Sequence, residues 1–157
     1  MIGFIGCRKE NILARKYNKF KRWCRKQYII YKYKHNFKSG KVIYLRADDR
    51  QFGLSTLLIN DAIRYDIPIL VPNLYSKKRM AHEIYMMGQL SMVSSVTEDY
   101  AMKNLVVTPI ESNLRGLYKL DWILVDNQCN ESDVKKMLDI SPKTIIANGF
   151  VTSWLMA

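Results

Sequence analysis

Residues 41–63 read KVIYLRADDRQFGLSTLLINDAI. The pattern predicts a buried strand over residues 41–46, a polar loop over residues 47–54, and a helix that opens on Ser55 and Thr56. A loop that runs from a strand into a helix presents backbone N–H groups and the positive end of the helix dipole to one point. The stretch therefore predicts an anion site at the amino end of this helix.

The loop matches part of the phosphate-loop pattern G-x-x-x-x-G-K-[ST]. Gly53 and Ser55 occupy the second glycine and the hydroxyl position, whereas Asp48 stands at the first glycine and Leu54 at the lysine. The lysine ammonium holds the transferring phosphate in an active NTPase. The pattern therefore indicates an NTPase-like fold that has lost part of its chemistry.

Two loop carboxylates also bear on anion binding. Asp48 and Asp49 are neighbours in the chain and lie between Arg46 and Arg50. We expect local ion pairs with these arginines, and we expect the two acids to repel a triphosphate.

A second motif lies at residues 123–127, which read ILVDN. In P-loop NTPases, an apolar strand that ends in Asp positions magnesium, and a following Glu often orients the attacking water. Asp126 stands at the magnesium position. Asn127 stands at the Glu, and its amide can hydrogen-bond a water but cannot take its proton.

These two motifs resemble those of large terminase subunits, the ATPase motors that package phage DNA. Residues 50–56, RQFGLST, are similar to the family's phosphate loop R-Q-x-G-K-[ST]-T, and residues 123–126 to its magnesium strand. The resemblance implies that Ser55 and Asp126 are magnesium ligands. It also implies nucleotide contacts for five loop residues: Arg50, Gln51, Gly53, Ser55 and Thr56.

The chain departs from the family pattern at its most catalytic positions. Leu54 replaces the lysine and Asn127 replaces the glutamate, so charge stabilisation and water activation are lost together. We expect no bound cofactor and no hydrolysis, with ATP and Mg²⁺ as the cofactors if the loop is functional.

The rest of the chain alternates strand and helix patterns. Strands are predicted at residues 41–46, 67–71, 104–110, 121–126 and 143–148, and helices at residues 55–64, 76–90 and 134–138. Residues 130–133 resemble a helix cap. Strands that are apolar on both faces imply a mostly parallel, five-stranded P-loop NTPase-like α/β sheet with flanking helices. This domain spans residues 41–157 and follows a basic helix and linker at residues 1–40.

The amino-terminal region is strongly basic. Residues 1–41 hold 13 Lys and Arg and one acid, out of 25 and 14 in the chain. Such a concentration of charge favours a polyanionic partner, nucleic acid before membrane. The cations expected to contact DNA or RNA are Arg15, Lys16, Lys19, Arg22, Arg25, Lys26, Lys32 and Lys34.

Residues 8–34 have the periodicity of one amphipathic helix. We expect its apolar stripe to pack on the domain, with the charges turned outward; the stripe is Leu13, Tyr17, Phe20, Cys24 and Tyr31. Aromatic rings among cations could also stack on the bases of single strands, although packing on the domain is their commoner fate. The rings considered for this role are Trp23, Tyr28, Tyr31 and Tyr33.

Three function classes follow. The first is a phage-like nucleic-acid-binding protein on a degenerate, non-hydrolysing scaffold. The second is an ATPase subunit of a DNA motor, completed by partner subunits that supply the missing cation. The third is a non-enzymatic phage inhibitor or adaptor, of anti-restriction or anti-CRISPR type, that binds a host nucleoprotein.

Cysteine spacing and hydropathy concern the setting of the protein. The three cysteines form neither a disulfide framework nor a zinc pattern, which suits a reducing compartment. No apolar run approaches the ~18 residues of a membrane span. We therefore expect a cytoplasmic protein without a membrane partner, in which a host or phage protein partner and oligomers are possible.

Overall fold

The protein is α/β, as the sequence predicts. The computed structural model describes residues 2–46, 49, 52–90, 96–109 and 121–152, with backbone only for residues 2–10. Its elements follow in chain order: α1 (Ile2–His35), β1 (Ile43–Leu45), α2 (Leu54–Tyr65), β2 (Ile69–Leu70), α3 (Leu74–Leu90), α4 (Glu98–Tyr100), a π-helical turn (Ala101–Leu105), β3 (Val106–Val107), β4 (Trp122–Val125), α5 (Glu131–Ile140) and β5 (Ile145–Thr152).

Within the described residues, five parallel strands form one sheet in the order β1-β5-β4-β2-β3. This confirms a five-stranded parallel sheet with flanking helices. Strand β1 leads into the first sequence motif, β4 forms most of the second, and the two strands are separated by β5. Because the strands are parallel, the carboxyl ends of β1 and β4 meet at one edge of the sheet, where ligands collect in such folds.

The first, second and fourth strands lie within their predicted bounds, and the other two differ from theirs. The third was predicted at residues 104–110, but Ala101–Leu105 form a π-helical turn and the sheet pairing is made by Val106–Val107. The last was predicted at residues 143–148 and runs over Ile145–Thr152. A short apolar run has no periodicity that separates the end of a helix from the start of a strand.

Helices cover both faces of the sheet. On one face α1, α2 and α3 bury side chains against a cluster that includes Ile69 and Leu124. On the other face α5 buries Val134 and Met137 against a cluster that includes Leu70. Successive strand residues thus enter opposite clusters, as the two-residue period of a strand requires.

The packing face of α1 is not the one that the sequence predicts. Ile29 and Tyr33 are buried in the core. The predicted stripe is exposed instead, and we call it the outward stripe: Leu13 (68 % exposed), Tyr17 (61 %), Phe20 (62 %), Cys24 and Tyr31 (62 %). At ~100° per residue, its centre lies ~200° around the helix from Ile29. The prediction was wrong because periodicity shows that a face is apolar and does not show what covers it.

Gly149 marks a close approach between β4 and β5. The pairing of these strands shifts register between Ile123 and Leu124, so that Leu124 pairs with Asn148 and Val125 with Gly149. Gly149 has φ 152°, and a Cβ built on it would lie 2.6 Å from Val125 N, O and Cβ. A side chain cannot fit there without moving one of the strands.

We expect Gly149→Ala to lower the free energy of unfolding by about 3 kcal/mol, the upper end for overpacking a core. Urea denaturation would measure the loss. The matched control is Gly40→Ala, since Gly40 also has a positive φ (75°) but a Cβ there would lie 4.0 Å from its nearest neighbour, Ile145 Cγ2. The control should lose about 1–2 kcal/mol from backbone conformation alone. Equal losses in both variants would contradict the close approach of the strands.

Candidate functional site

The loop between β1 and α2 enters its helix at Gly53. This residue is the N-cap of α2 and has φ 70° and ψ 27°, the left-handed conformation that favours glycine. The N–H of Thr56 donates to the Gly53 carbonyl at 3.2 Å, and the Thr56 side chain is exposed. Arg50 and Gln51, to which the resemblance gives nucleotide contacts, lie outside the described residues, as does Asp48.

Leu54 stands at the lysine position of the motif and is a core residue. It is 2 % exposed and packs in the same cluster as Leu58 and Ile59 of α2. The side chain at this position therefore contributes to stability and not to the charge of the loop. A lysine there would have to bury its ammonium or leave the core, either of which costs free energy.

Ser55 and Asp126 lie together although 71 positions separate them in the chain. The Ser55 hydroxyl donates to Asp126 Oδ1 at 3.4 Å. Ser55 is in the first turn of α2, and Asp126 follows β4 directly, with its N–H donating to the Leu70 carbonyl. The parallel sheet thus brings the two residues that the terminase resemblance pairs as magnesium ligands to one point.

The Asp126 carboxyl is almost fully buried. Burial raises its pKa from 3.8 to about 6, and the charge of Glu83 acts in the same direction. The backbone N–H groups of Gln128 and Asn127 and the Ser55 hydroxyl lower the pKa, but they do not outweigh the loss of hydration. Near neutral pH, the ionised Asp126 carboxylate is therefore poorly hydrated, and a bound cation would stabilise it.

A small polar cavity of about 30 Å³ lies beside Asp126, with room for one or two waters. Its walls include side chains that the motifs did not single out: Ser76, Arg79, Glu83 and Gln128. The Ser76 hydroxyl donates to Gln128 Oε1 at 2.8 Å, and Arg79 Nε lies 3.3 Å from Glu83 Oε1. Because α3 follows the carboxyl end of β2, its first turns lie at the same sheet edge; this parallel-sheet rule was the signal that could have found them.

The oxygens of Ser55 and Asp126 fit a magnesium ion. Adjacent ligands of octahedral Mg²⁺ lie about 3 Å apart, close to the 3.4 Å between these two oxygens. In the described part of the chain, including this site, no three His, Cys, Asp or Glu side chains lie close enough together to hold a metal ion. Water or phosphate would supply the other ligands, as magnesium commonly requires.

Asp49 is held by α1. Its carboxylate accepts hydrogen bonds from Arg25 Nε at 3.3 Å and Arg25 Nη2 at 3.1 Å, and from the Arg46 backbone N–H at 2.8 Å. Asp49 thus pairs with Arg25, 24 positions earlier, a partner that the sequence does not predict, whereas Asp48 and Arg50 of the predicted ion pairs lie outside the described residues. A buried carboxylate needs a cation close by. The fold decides which cation that is, so neighbours in the sequence do not identify it.

A basic cleft lies where α1 passes the β1–α2 loop. It encloses about 620 Å³ and is lined by Asn18, Lys21, Arg22, Arg25, Arg46, Asp49 and Phe52. Four of these side chains are cationic and one is acidic. The Arg22 guanidinium lies over the Phe52 ring, 5.0 Å from its centroid. We call this feature the basic cleft; it joins the cationic helix to the loop of the sequence motif.

The eight predicted nucleic-acid contacts fall into two groups. Arg22 and Arg25 touch the domain through Phe52 and Asp49. The others are exposed, or half-buried in the case of Lys26, and the full second group is Arg15, Lys16, Lys19, Lys26, Lys32 and Lys34. The structure therefore brings only part of the predicted set to the loop.

Comparisons with known protein families, curated proteins and solved structures found no match. Among the helices that the structure describes, none is both long and apolar enough to cross a bilayer.

We expect the buried carboxyl of Asp126 to make stability pH-dependent. Between about pH 4 and 6 the folded chain keeps this proton and the unfolded chain has released it, so the free energy of unfolding falls as pH rises. Asp126→Asn removes this loss and should gain stability relative to the parent, by up to about 3 kcal/mol on going from pH 4 to pH 8.

Urea denaturation in the presence of a chelator at several pH values would measure this difference. Asp121→Asn is the matched control, because Asp121 is an exposed carboxyl just before the same strand. A stability difference between the Asp126→Asn variant and the parent that does not change with pH would show that Asp126 is not a raised-pKa group.

Proposed function

We propose that this protein binds nucleic acid through α1 and the basic cleft, on a P-loop NTPase-like scaffold that does not hydrolyse nucleotide. The observation that carries the proposal is the cleft itself. Lys21, Arg22, Arg25 and Arg46 line one space beside the phosphate-type loop, and the one carboxylate in the described lining, Asp49, pairs with Arg25, so four cations and one carboxylate give the lining a formal charge of +3. Phosphates entering this space would meet a net positive field.

The amino-terminal half of α1 extends the positive surface beyond the cleft. Arg15, Lys16 and Lys19 are exposed. Cations distributed in this way neutralise a phosphate backbone without reading base edges, so binding depends little on sequence. The surplus of cations over acids in residues 1–41 is larger than solubility alone needs.

The scaffold part of the proposal rests on Ser55, Asp126 and Leu54. The contact between Ser55 and Asp126 supports a P-loop ancestry, because in P-loop NTPases the hydroxyl of the phosphate loop and the Asp of the magnesium strand lie side by side. The burial of Leu54 supports the absence of hydrolysis, since the lysine position serves the core. The likeness of both motifs to terminase ATPases supports a phage-type origin.

We expect Arg15→Gln, Lys16→Gln and Lys19→Gln together to weaken DNA and RNA binding roughly tenfold at low salt. The slope of log affinity against log salt should flatten by about 0.7–0.9 per lost phosphate contact. Fluorescence anisotropy over a range of salt concentrations measures both quantities. These positions are exposed on α1, so the fold should not change.

A charge-matched control is Lys135→Gln, Lys136→Gln and Lys143→Gln, all exposed on or after α5. If both triple variants lose the same affinity, net charge and not α1 governs binding. If neither variant loses affinity, the basic helix serves another role, and a protein-binding inhibitor or adaptor becomes the better proposal.

A second candidate function is an ATPase subunit completed by partners. The oxygen pair of Ser55 and Asp126 favours it, since this pair suits the magnesium of a nucleotide. Arg79 and Glu83 beside the same cavity add a cation and a carboxylate. A partner subunit would still have to supply the charge that Leu54 does not.

We expect the purified chain to show no ATP hydrolysis above background in the presence of Mg²⁺. Leu54 provides no cation to stabilise the charge on the transferring phosphate, and Asn127 provides no base to activate the attacking water. Phosphate release would be measured for the parent and for Asp126→Ala. Turnover in the parent that disappears in the Asp126→Ala variant would favour the second candidate.

A further inference from the structure

The two long sides of α1 have different surroundings. One side contacts the domain through Arg22, Arg25, Ile29 and Tyr33. The outward stripe lies on the opposite side, and its four large apolar members are between 61 and 68 % exposed. A helix that covers its own domain with one side and leaves an apolar stripe on the other has a surface for a second molecule.

Four exposed aromatic rings lie among cations on the outward side of α1. Tyr17, Phe20, Trp23 and Tyr31 follow one another along about four turns of helix, and all are exposed. The rings of Phe20 and Trp23 are nearly parallel, with 21° between their planes and 6.3 Å between centroids. Lys21 Nζ lies 5.5 Å from the Tyr17 centroid. Flat rings with adjacent cations match the two parts of a nucleotide, its base and its phosphate.

Other occupants fit this surface less well. A second copy of α1 would place one lysine-rich and arginine-rich helix against another, and like charges along a helix pair oppose pairing. Helix seams of that kind also favour Leu, Ile and Val, whereas three of the five stripe residues are aromatic. A membrane-surface helix keeps its cations opposite its apolar face. Here Arg22 and Arg25, on that opposite side, contact Phe52 and Asp49 of the domain.

We propose that the outward stripe with Trp23 binds single-stranded nucleic acid by stacking its bases on Tyr17, Phe20, Trp23 and Tyr31. The inference rests on the proposed nucleic-acid binding and adds the class of strand. In a duplex the faces of the bases are covered by their neighbours, so these rings can stack only on an unpaired strand. Lys16 and Lys21 flank the rings and neutralise the phosphates of the same strand.

The test replaces rings without removing apolar surface: Tyr17→Leu, Phe20→Leu and Trp23→Leu together. Leucine keeps a helical, apolar face but has no flat ring, so stacking is lost while hydrophobic contact is largely kept. The probes are a labelled oligothymidine, a duplex of the same length and vesicles of anionic lipid. Tyr75→Leu is the control, since Tyr75 is an exposed ring on α3.

We expect the parent to prefer the single strand, and the triple leucine variant to lose at least about tenfold in affinity for it. Its affinity for the duplex should change less than about twofold, and the Tyr75→Leu variant should match the parent. The single strand should also quench tryptophan fluorescence in the parent and less so in a Trp23→Leu variant, because a stacked base contacts the indole.

The outcomes separate this inference from the proposed function. Equal, salt-sensitive binding of both nucleic acids that the leucine variant retains overturns the single-strand inference and leaves the proposed function standing. Absence of any salt-sensitive nucleic-acid binding overturns both. Tighter binding of the parent to anionic vesicles than to either nucleic acid, lost in the leucine variant, identifies the stripe as a membrane surface and overturns the inference.

Discussion

The attachment of Tyr33 to the domain determines how the basic cleft and the outward stripe of α1 are oriented. Its ring is buried and stacks on Phe150, with 16° between the planes, and its hydroxyl donates to Asp61 Oδ2 at 2.6 Å. Its carbonyl accepts from Asn148 Nδ2 at 2.7 Å. Burial and the Asp61 carboxylate both raise the pKa of Tyr33, so the phenol stays a hydrogen-bond donor. Ring, hydroxyl and backbone are therefore all constrained, which fixes the rotation of α1 about its own axis.

This rotation has two consequences. It directs Arg25 toward Asp49 and so places α1 across the β1–α2 loop, where the basic cleft forms. It also turns the outward stripe to solvent, because residues half a helical turn away cannot face the same sheet. A helix of 34 residues is ~50 Å long, and its amino-terminal half extends past the region that Tyr33 anchors. Cleft and stripe are thus two results of one docking geometry.

The sequence predicts the parts of this arrangement that local periodicity and strand order control. It predicts the five strands in chain order, a helix cap within residues 130–133, and the carboxyl-end position of Asp126. The sequence does not predict features that depend on contacts between elements distant in the chain. The direction of the outward stripe, the Arg25 and Asp49 pair, and the α3 side chains around the small cavity need three-dimensional partners that lie far away in the chain. Leu54 is an intermediate case: the sequence shows that an apolar residue stands at the lysine position of the phosphate-loop pattern, and only the structure shows that this side chain is buried in the core.

Asp49 occupies the guanidinium of Arg25 with a carboxylate of the chain itself. In a phosphate loop the anion is supplied by the nucleotide, whereas here a buried carboxylate of the chain itself takes the guanidinium of Arg25 in a bidentate pair. An incoming phosphate would have to displace Asp49 from a partly desolvated partner, and leaving either charge unpaired costs several kcal/mol. Arg25 is therefore poorly placed to gain from a nucleic-acid phosphate, while Lys21 and Arg46 line the same cleft. Within the described part of the loop, Asp49 therefore holds α1 in place through Arg25.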